Sequence, residues 1–287
     1  WQAIKAANQN DEDKIGQALG KLLAEDPTIT SSINLETHEH VLSAMGEQQM
    51  TLIQKRLKNR YKVEALLKTP KIPYKETIQG KADTKYRHKK QSGGKGQYGE
   101  VYFRVSPTGR GEGYKFVNSI VGGTIPGNFI PAIEKGIQET LEKGIIAGYT
   151  VVDICVDCYF GSYHDVDSSE MAFKIASSMC LKDAFTQAKP ILLEPIHEVE
   201  IIIPTEYMGD VMGDISTRRG KINGMEQQGK KQILKANVPL AELFAYFPAL
   251  KSLTQGRGMF TQKFSHFEKV PEEIAKVVIE AYKKEEE

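Results

Sequence analysis

The sequence predicts an α+β fold of three domains: two ferredoxin-like βαββαβ units flanking a central α+β domain. Three observations carry that reading. Residues 1–74 run through strand and helix periodicities in the order βαββαβ, residues 194–269 repeat the order without repeating the sequence, and residues 75–193 follow neither. The boundaries expected are therefore 1–74, 75–193 and 194–269, followed by one further helix whose docking partner the pattern does not give.

In the first unit a short strand at 2–6 precedes a helix from Asn10, signalled by an Asn/Asp cap and by Ile15, Leu19, Leu22 and Leu23 on one face. Asp26-Pro27 ends that helix. TITSSINLE and HEHVLSAM read as strands joined by polar Glu36-Thr37-His38-Glu39, and Gly46 breaks the second. Met50, Ile53 and Leu57 fall at helical spacing, and Tyr61-Lys62-Val63-Glu64-Ala65-Leu66 returns as a strand. Pro70 and Pro73 close the unit.

The central domain opens with two strands around QSGGKGQYGEV (91–101). A strand near 114–120, a helix over about 128–143 and the strand VVDICVDCYF follow. The loop GSYHDVDSS then leads into a helix over 169–188, with Asp167 or Ser168 as the expected cap. In the last unit Val199, Ile201 and Ile203 alternate, and a helix carries Met208, Val211, Met212 and Ile215 to Arg218-Arg219-Gly220. KINGMEQQ and KKQILKANV turn at Gly229-Lys230, a helix over 240–253 stops before Gly256, and MFTQKFSHFEK is the last strand. A final helix over 271–284 has Ile274, Val277, Val278 and Ala281 on one face, so it must dock on something.

Of the 287 residues, 40% are hydrophobic and 26% charged, and no apolar run reaches the roughly 18 residues a membrane-spanning helix needs. Trp1 stands where an initiator Met or a signal-peptide leader would, which predicts a piece of a longer protein. Three cysteines, an odd number, speak for a reducing compartment, the cytoplasm. Cys155 and Cys158 have C-x-x-C spacing, but on a strand residues three apart face opposite ways, so they read as structural thiols and no metal site is expected. Net charge is +1, yet residues 81–95 hold six Lys/Arg against the single acid Asp83. Such an excess faces phosphates or forms a solvated hairpin with an edge guarded by lysine.

Gly94-Lys95-Gly96-Gln97-Tyr98-Gly99-Glu100-Val101 spells G-x-G-x-x-G-x-V. A dinucleotide fold needs a helix after it, and here VYFRV follows; a kinase needs V-A-I-K, H-R-D and D-F-G, and none is present. No P-loop exists either, so no cofactor is expected in this chain. What remains is a glycine-bent hairpin tip with Lys89, Lys90 and Lys95 for phosphate oxygens and Gln91, Ser92 and Gln97 for hydrogen bonds, suited to RNA. His164, Asp165 and Ser168 crowd one loop, but neighbours in a loop rarely make a catalytic triad, so no catalytic residue is expected. Arg218 and Arg219 end a helix, where cations complement its dipole, and Arg257 sits at another glycine turn; an rRNA-facing edge is the functional alternative.

GGTIPGNFIPAIEKG, FGSYHDVDSSEMAFKIA, EYMGDVMGDISTRRG and VPLAELFAYFPALKSLTQGRG resemble bacterial translation elongation factor G, in order, over essentially all 287 residues. The resemblance covers that family's domains III, IV and V, and it implies that the C-terminal helix, 270–287, folds back to complete the core of the central α+β domain, 75–193. It implies a ribosomal translocase in which a GTPase domain outside this chain, with GTP and Mg, is coupled to movement of tRNA and mRNA. It places Gln91, Ser92, Gly93, Gly94, Lys95, Gly96, Gln97, Tyr98, Ser162, Tyr163, His164 and Asp165 at a decoding-site tip, with His164 at the apex. It also implies that Arg218, Arg219 and Arg257 lie towards the stalk base and sarcin-ricin rRNA of a cytoplasmic, monomeric factor. Gly46-Glu47-Gln48-Gln49-Met50 stands where many relatives carry Gly-Glu-Leu-His-Leu, and Phe244-Ala245-Tyr246 where they carry Phe-Gly-Tyr. A recycling or ribosome-protection paralogue, or a stand-alone RNA-binding module, therefore stays open.

Overall fold

Strand β1 (Gln2–Ala6) is half-buried by alternation, and helix α1 (Glu12–Glu25) lays Ile15, Leu19 and Leu22 onto the sheet it belongs to. These and the following elements come from a computed structural model of the chain, which describes residues 1–8, 11–34, 36–44, 46–91 and 96–286. The expected helix start at Asn10 lies outside the described residues, and Asp11 occupies the N-cap. Strands β2 (Thr30–Ile33) and β3 (His40–Ser43), helix α2 (Glu47–Tyr61) and strand β4 (Ala65–Lys68) complete an antiparallel sheet of order β2-β3-β1-β4, the ferredoxin-like arrangement. Met50, Ile53 and Leu57 are buried against it. Tyr61 corrects the expectation of a strand from that position. It is the last residue of α2, because Lys62 takes a left-handed cap at φ 58° and sends its N–H to Leu57.

Residues 74–194 and 268–287 form one compact unit, residues 1–73 and 195–267 another. In the former, β5 (Lys75–Ile78) is a strand absent from the sequence reading. It pairs with residues 190–193 of β10 (Pro190–Pro204). Its Glu76 is fully buried, and its carboxylate accepts four backbone N–H bonds, from Ile145, Ile146, Ala147 and Tyr149 at 2.8–3.1 Å. That coordination offsets the desolvation of a buried carboxylate and pins the loop after α3.

The unit's main sheet runs β6 (Ala82–Lys90), β7 (Gln97–Pro107), β9 (Ile154–Ser162), β8 (Tyr114–Asn118), with β8 parallel to β9. Helices α3 (Ile130–Lys143), entered through a 3-10 turn at Gly127–Phe129, and α4 (Glu170–Gln187) cover one face. Val101, Phe103, Val105, Val156, Cys158, Phe173 and Cys180 are buried there. Cys155 and Cys158 do point to opposite faces: Cys158 is buried, Cys155 is not, and both are free thiols. Burial pushes the Cys158 and Cys180 thiols up to about 12. The last helix, α8 (Glu272–Glu286), belongs to this unit, and its Tyr282 lies so close to Gly148, at φ +73°, that a Cβ there would strike the ring.

The remaining elements are α5 (Met208–Thr217), β11 (Lys221–Gln228), β12 (Lys231–Pro239), α6 (Leu240–Leu243), α7 (Tyr246–Leu253) and β13 (Met259–Lys269). The sheet order β11-β12-β10-β13 is again ferredoxin-like, over a core of Val199, Ile201, Val211, Ile215, Leu234 and Tyr246. The single helix expected over 240–253 is two, separated at Phe244-Ala245. Pro248, in the first turn of α7, has no N–H for the Phe244 carbonyl and would clash with it in a continuous helix; Leu243 and Tyr246 are both buried in the core. Among the described residues no helix is long and apolar enough to cross a membrane.

Candidate functional site

The tip of the main sheet is made where β6 turns into β7 and β9 runs out into α4. Ser92, Gly93, Gly94 and Lys95 lie outside the described residues. The two glycines that follow are there for close approach, a correction to the expectation that glycine serves tight turning: neither Gly96 nor Gly99 has a positive φ. A Cβ on Gly99 would sit 3.2 Å from the backbone of Ala172 and Phe173 in α4, and one on Gly96 would sit 2.9 Å from the Asp167 carboxyl carbon.

The two tip segments are tied to each other through the backbone. Gly96 N–H donates to the Asp167 carboxylate at 2.9 Å, and Tyr98 N–H donates to the Asp167 carbonyl at 2.9 Å. Ser168 Oγ donates to the Tyr98 carbonyl at 2.9 Å and accepts the His164 N–H at 2.9 Å. Asp167 and Ser168 are therefore not the helix cap. Ser169 caps α4, accepting from the Ala172 N–H at 3.2 Å, which frees its two predecessors to bind the neighbouring hairpin.

Below the apex lies a second tie. Tyr98 donates its hydroxyl to Ser162 Oγ at 2.7 Å, Ser162 donates to Glu100 at 2.6 Å, and Arg87 reaches the other Glu100 oxygen at 3.0 Å. Glu100 has a side chain only 6% exposed. His88 Nε2 donates to Gln97 Oε1 at 2.9 Å, adding a cross-strand pair. Glu100 is buried and Tyr98 and Ser162 are half-buried, whereas Arg87 keeps 58% of its side chain exposed.

What else points outward is a short set. Tyr163, His164, Asp165 and Val166 are exposed in sequence, and Lys89, Lys90 and Gln91 are exposed on the facing strand end. His164 accepts from the Val166 and Asp167 N–H groups at its Nδ1, both at 3.3 Å, which fixes the ring and turns Nε2 to solvent. The arrangement of the described residues displays hydrogen-bonding and cationic groups on a fixed frame. Among the described residues no group of three His, Cys, Asp or Glu side chains is placed to hold a metal ion.

The arginines of the C-terminal ferredoxin-like domain are differently placed. Arg218 donates to Asp214 at 2.9 Å and to the Glu242 carbonyl at 3.1 Å, with its guanidinium 5.3 Å from the Tyr246 ring centroid. Arg219 pairs with Glu242 at 3.1 Å. Arg257 pairs with Glu206 at 2.6 Å and contacts the Tyr207 hydroxyl. Of the tip residues singled out in the sequence, Tyr163, His164 and Asp165 are exposed, while the braces Glu100, Asp167 and Ser168 are not among those singled out. The Asp-Ser-Ser run before α4 signals only Asp167 and Ser168.

Three family models match in succession: Elongation Factor G, domain III, over residues 1–69; Elongation factor G, domain IV, over 70–189; and Elongation factor G C-terminus over 191–278. A crystal structure of a protein from Thermus thermophilus superposes with a TM-score of 0.85 at 42% identity, covering 99% of this chain. The chain spans 42% of that protein's length.

Proposed function

We propose a ribosomal role from one premise: the chain belongs to the elongation factor G family, of which it carries domains III and IV and the C-terminal domain. In that reading it promotes translocation of tRNA and mRNA, with the tip entering the decoding region. GTP, with Mg, is bound and hydrolysed by a domain outside this chain. The observation that carries it is the tip itself: two segments joined by the Asp167 and Ser168 side chains and by one backbone bond, with Tyr163, His164 and Asp165 left facing out.

Such a tip does no covalent chemistry. It occupies a site that RNA has vacated and makes contacts after movement that it lacks before, which shifts the population forward. Rigidity matters because an element that deforms on contact loses that difference in ordering entropy. The arginine-bearing C-terminal domain is assigned to large-subunit rRNA. Its arginines reach phosphate only by exchanging or sharing the carboxylates they hold here, Asp214, Glu242 and Glu206. The factor works as a monomer in the cytoplasm.

A photo-crosslinking residue in place of His164, carried on ribosomes by the longer protein, tests the placement. Cross-links to decoding-region rRNA, mRNA or tRNA are expected. Cross-links confined to ribosomal protein or to the large subunit would refute it.

A further inference from the structure

The main sheet of the 74–194 unit buries one face under α3 and α4 and leaves the other uncovered. Thr84, Val101, Phe103, Val105, Val156 and Cys158 are buried, while the alternating positions Lys85, Tyr102, Arg104 and Asp157 are exposed or half-buried. A bulge between Tyr102 and Phe103 shifts the pairing with β9: Tyr102 faces Phe160, and Phe103 faces Cys158. The extra residue is Tyr159, so two consecutive aromatic residues, Tyr159 and Phe160, share the open face. Without the bulge one of them would point into the core.

The outcome is an aromatic cluster edged by cations. Tyr102 meets Phe160 edge to face at 5.1 Å and Tyr159 at 6.0 Å. Lys85 Nζ stands 5.8 Å from the Tyr102 centroid; the Arg104 guanidinium lies 3.8 Å from that of Tyr159 and is paired at 3.2 Å with Asp83, which also accepts the Tyr159 hydroxyl at 2.6 Å. Phe160 keeps 43% of its surface exposed. Beyond Arg104 the face dips into a hollow of about 570 Å³, walled in part by Asp157 and Val117. There Asp157 Oδ1 is buried without a hydrogen-bond partner, an acceptor lacking its donor. In the other direction Lys89, on the same side of β6 as Lys85, continues the basic edge to the tip, beyond Arg87, whose charge is paired with Glu100.

We propose that this open face binds an unpaired RNA strand, with bases stacking on Tyr102 and Phe160 and phosphates meeting Lys85 and Lys89. Every base has a π-face, so aromatic rings on a basic sheet recognise single strands without needing sequence. An acidic peptide would match the cations but leave the rings unused. The site is separate from the apex and does not depend on the ribosomal reading.

The test is fluorescence anisotropy of a labelled single-stranded RNA oligonucleotide titrated with the 287-residue chain. The Tyr102→Ala/Phe160→Ala pair should weaken binding on the order of tenfold or more. Tyr102→Phe, which keeps the ring and guards against misfolding, should leave it within about twofold. Lys85→Gln should flatten the salt dependence by about 0.7 in the log–log slope. Affinity indifferent to the Tyr102→Ala/Phe160→Ala pair and to Lys85→Gln would overturn the proposal, as would no binding, or binding that an acidic peptide displaces and poly(U) does not. Because the readout is an isolated oligonucleotide, a negative result here leaves the cross-linking test of the tip unaffected.

Discussion

The tip and the arginine end of the C-terminal domain are both glycine-containing turns rich in polar and cationic residues, and they dispose of their charges in opposite ways. At the tip, inward groups make the braces, and Lys89, Lys90 and His164 are left outside. At the arginine end, the cations themselves are the braces: Arg218 ties α5 to α6 through Asp214 and the Glu242 carbonyl, with only 19% of its side chain exposed. A cation in a sequence thus reports charge, and only its partners decide whether that charge is available to RNA.

Removing a brace should cost stability in both regions, and removing a displayed group in neither. The largest effect is expected for Glu100→Ala, which strands Ser162 and Arg87 beside a nearly buried position. About 2 kcal/mol should be lost in urea unfolding, the figure for a buried charge pair being reduced because Arg87 is largely exposed. Arg218→Ala should follow at about 1–2 kcal/mol, from two hydrogen bonds and the contact with Tyr246. If it unfolds like wild type, the contrast between the regions is lost. Asp167→Ala should cost about 1 kcal/mol and raise hydrogen exchange at the Gly96 amide several-fold, sparing the Tyr98 amide, whose acceptor is the Asp167 backbone. Lys89→Ala, on the displayed side, should stay within about 0.5 kcal/mol.

Much of the architecture is legible in local pattern, because each ferredoxin-like unit buries apolar residues at strand or helix spacing: Val199, Ile201 and Ile203 in β10, Met50, Ile53 and Leu57 in α2. The misreadings fall where local pattern is not decisive. Strand β5 reads Lys-Glu-Thr-Ile, and its most buried side chain is a glutamate whose partners lie about seventy residues away. The interruption between α6 and α7, by contrast, is announced by Pro248, four residues after Phe244, a breaker that the expectation of a single helix over 240–253 passes over. At the site, the apex residues stand out because polar loops are visible in a sequence. The Asp167 to Gly96 bond joins residues 71 apart, so no spacing rule reaches it. The glycine motif was legible as a motif and misleading as chemistry, its described glycines making room for Asp167 and α4 instead of for a phosphate.

The central claim is that the tip is a pre-built frame displaying His164 to RNA, distinct from whatever hydrolyses GTP. The most direct test is His164→Ala in the longer, GTPase-bearing protein, with single-round translocation and ribosome-stimulated GTP hydrolysis followed on the same ribosomes. Translocation should slow about tenfold, the equivalent of one lost contact of about 1.4 kcal/mol, with hydrolysis near the wild-type rate. Equal loss of both activities, or loss of neither, would contradict it.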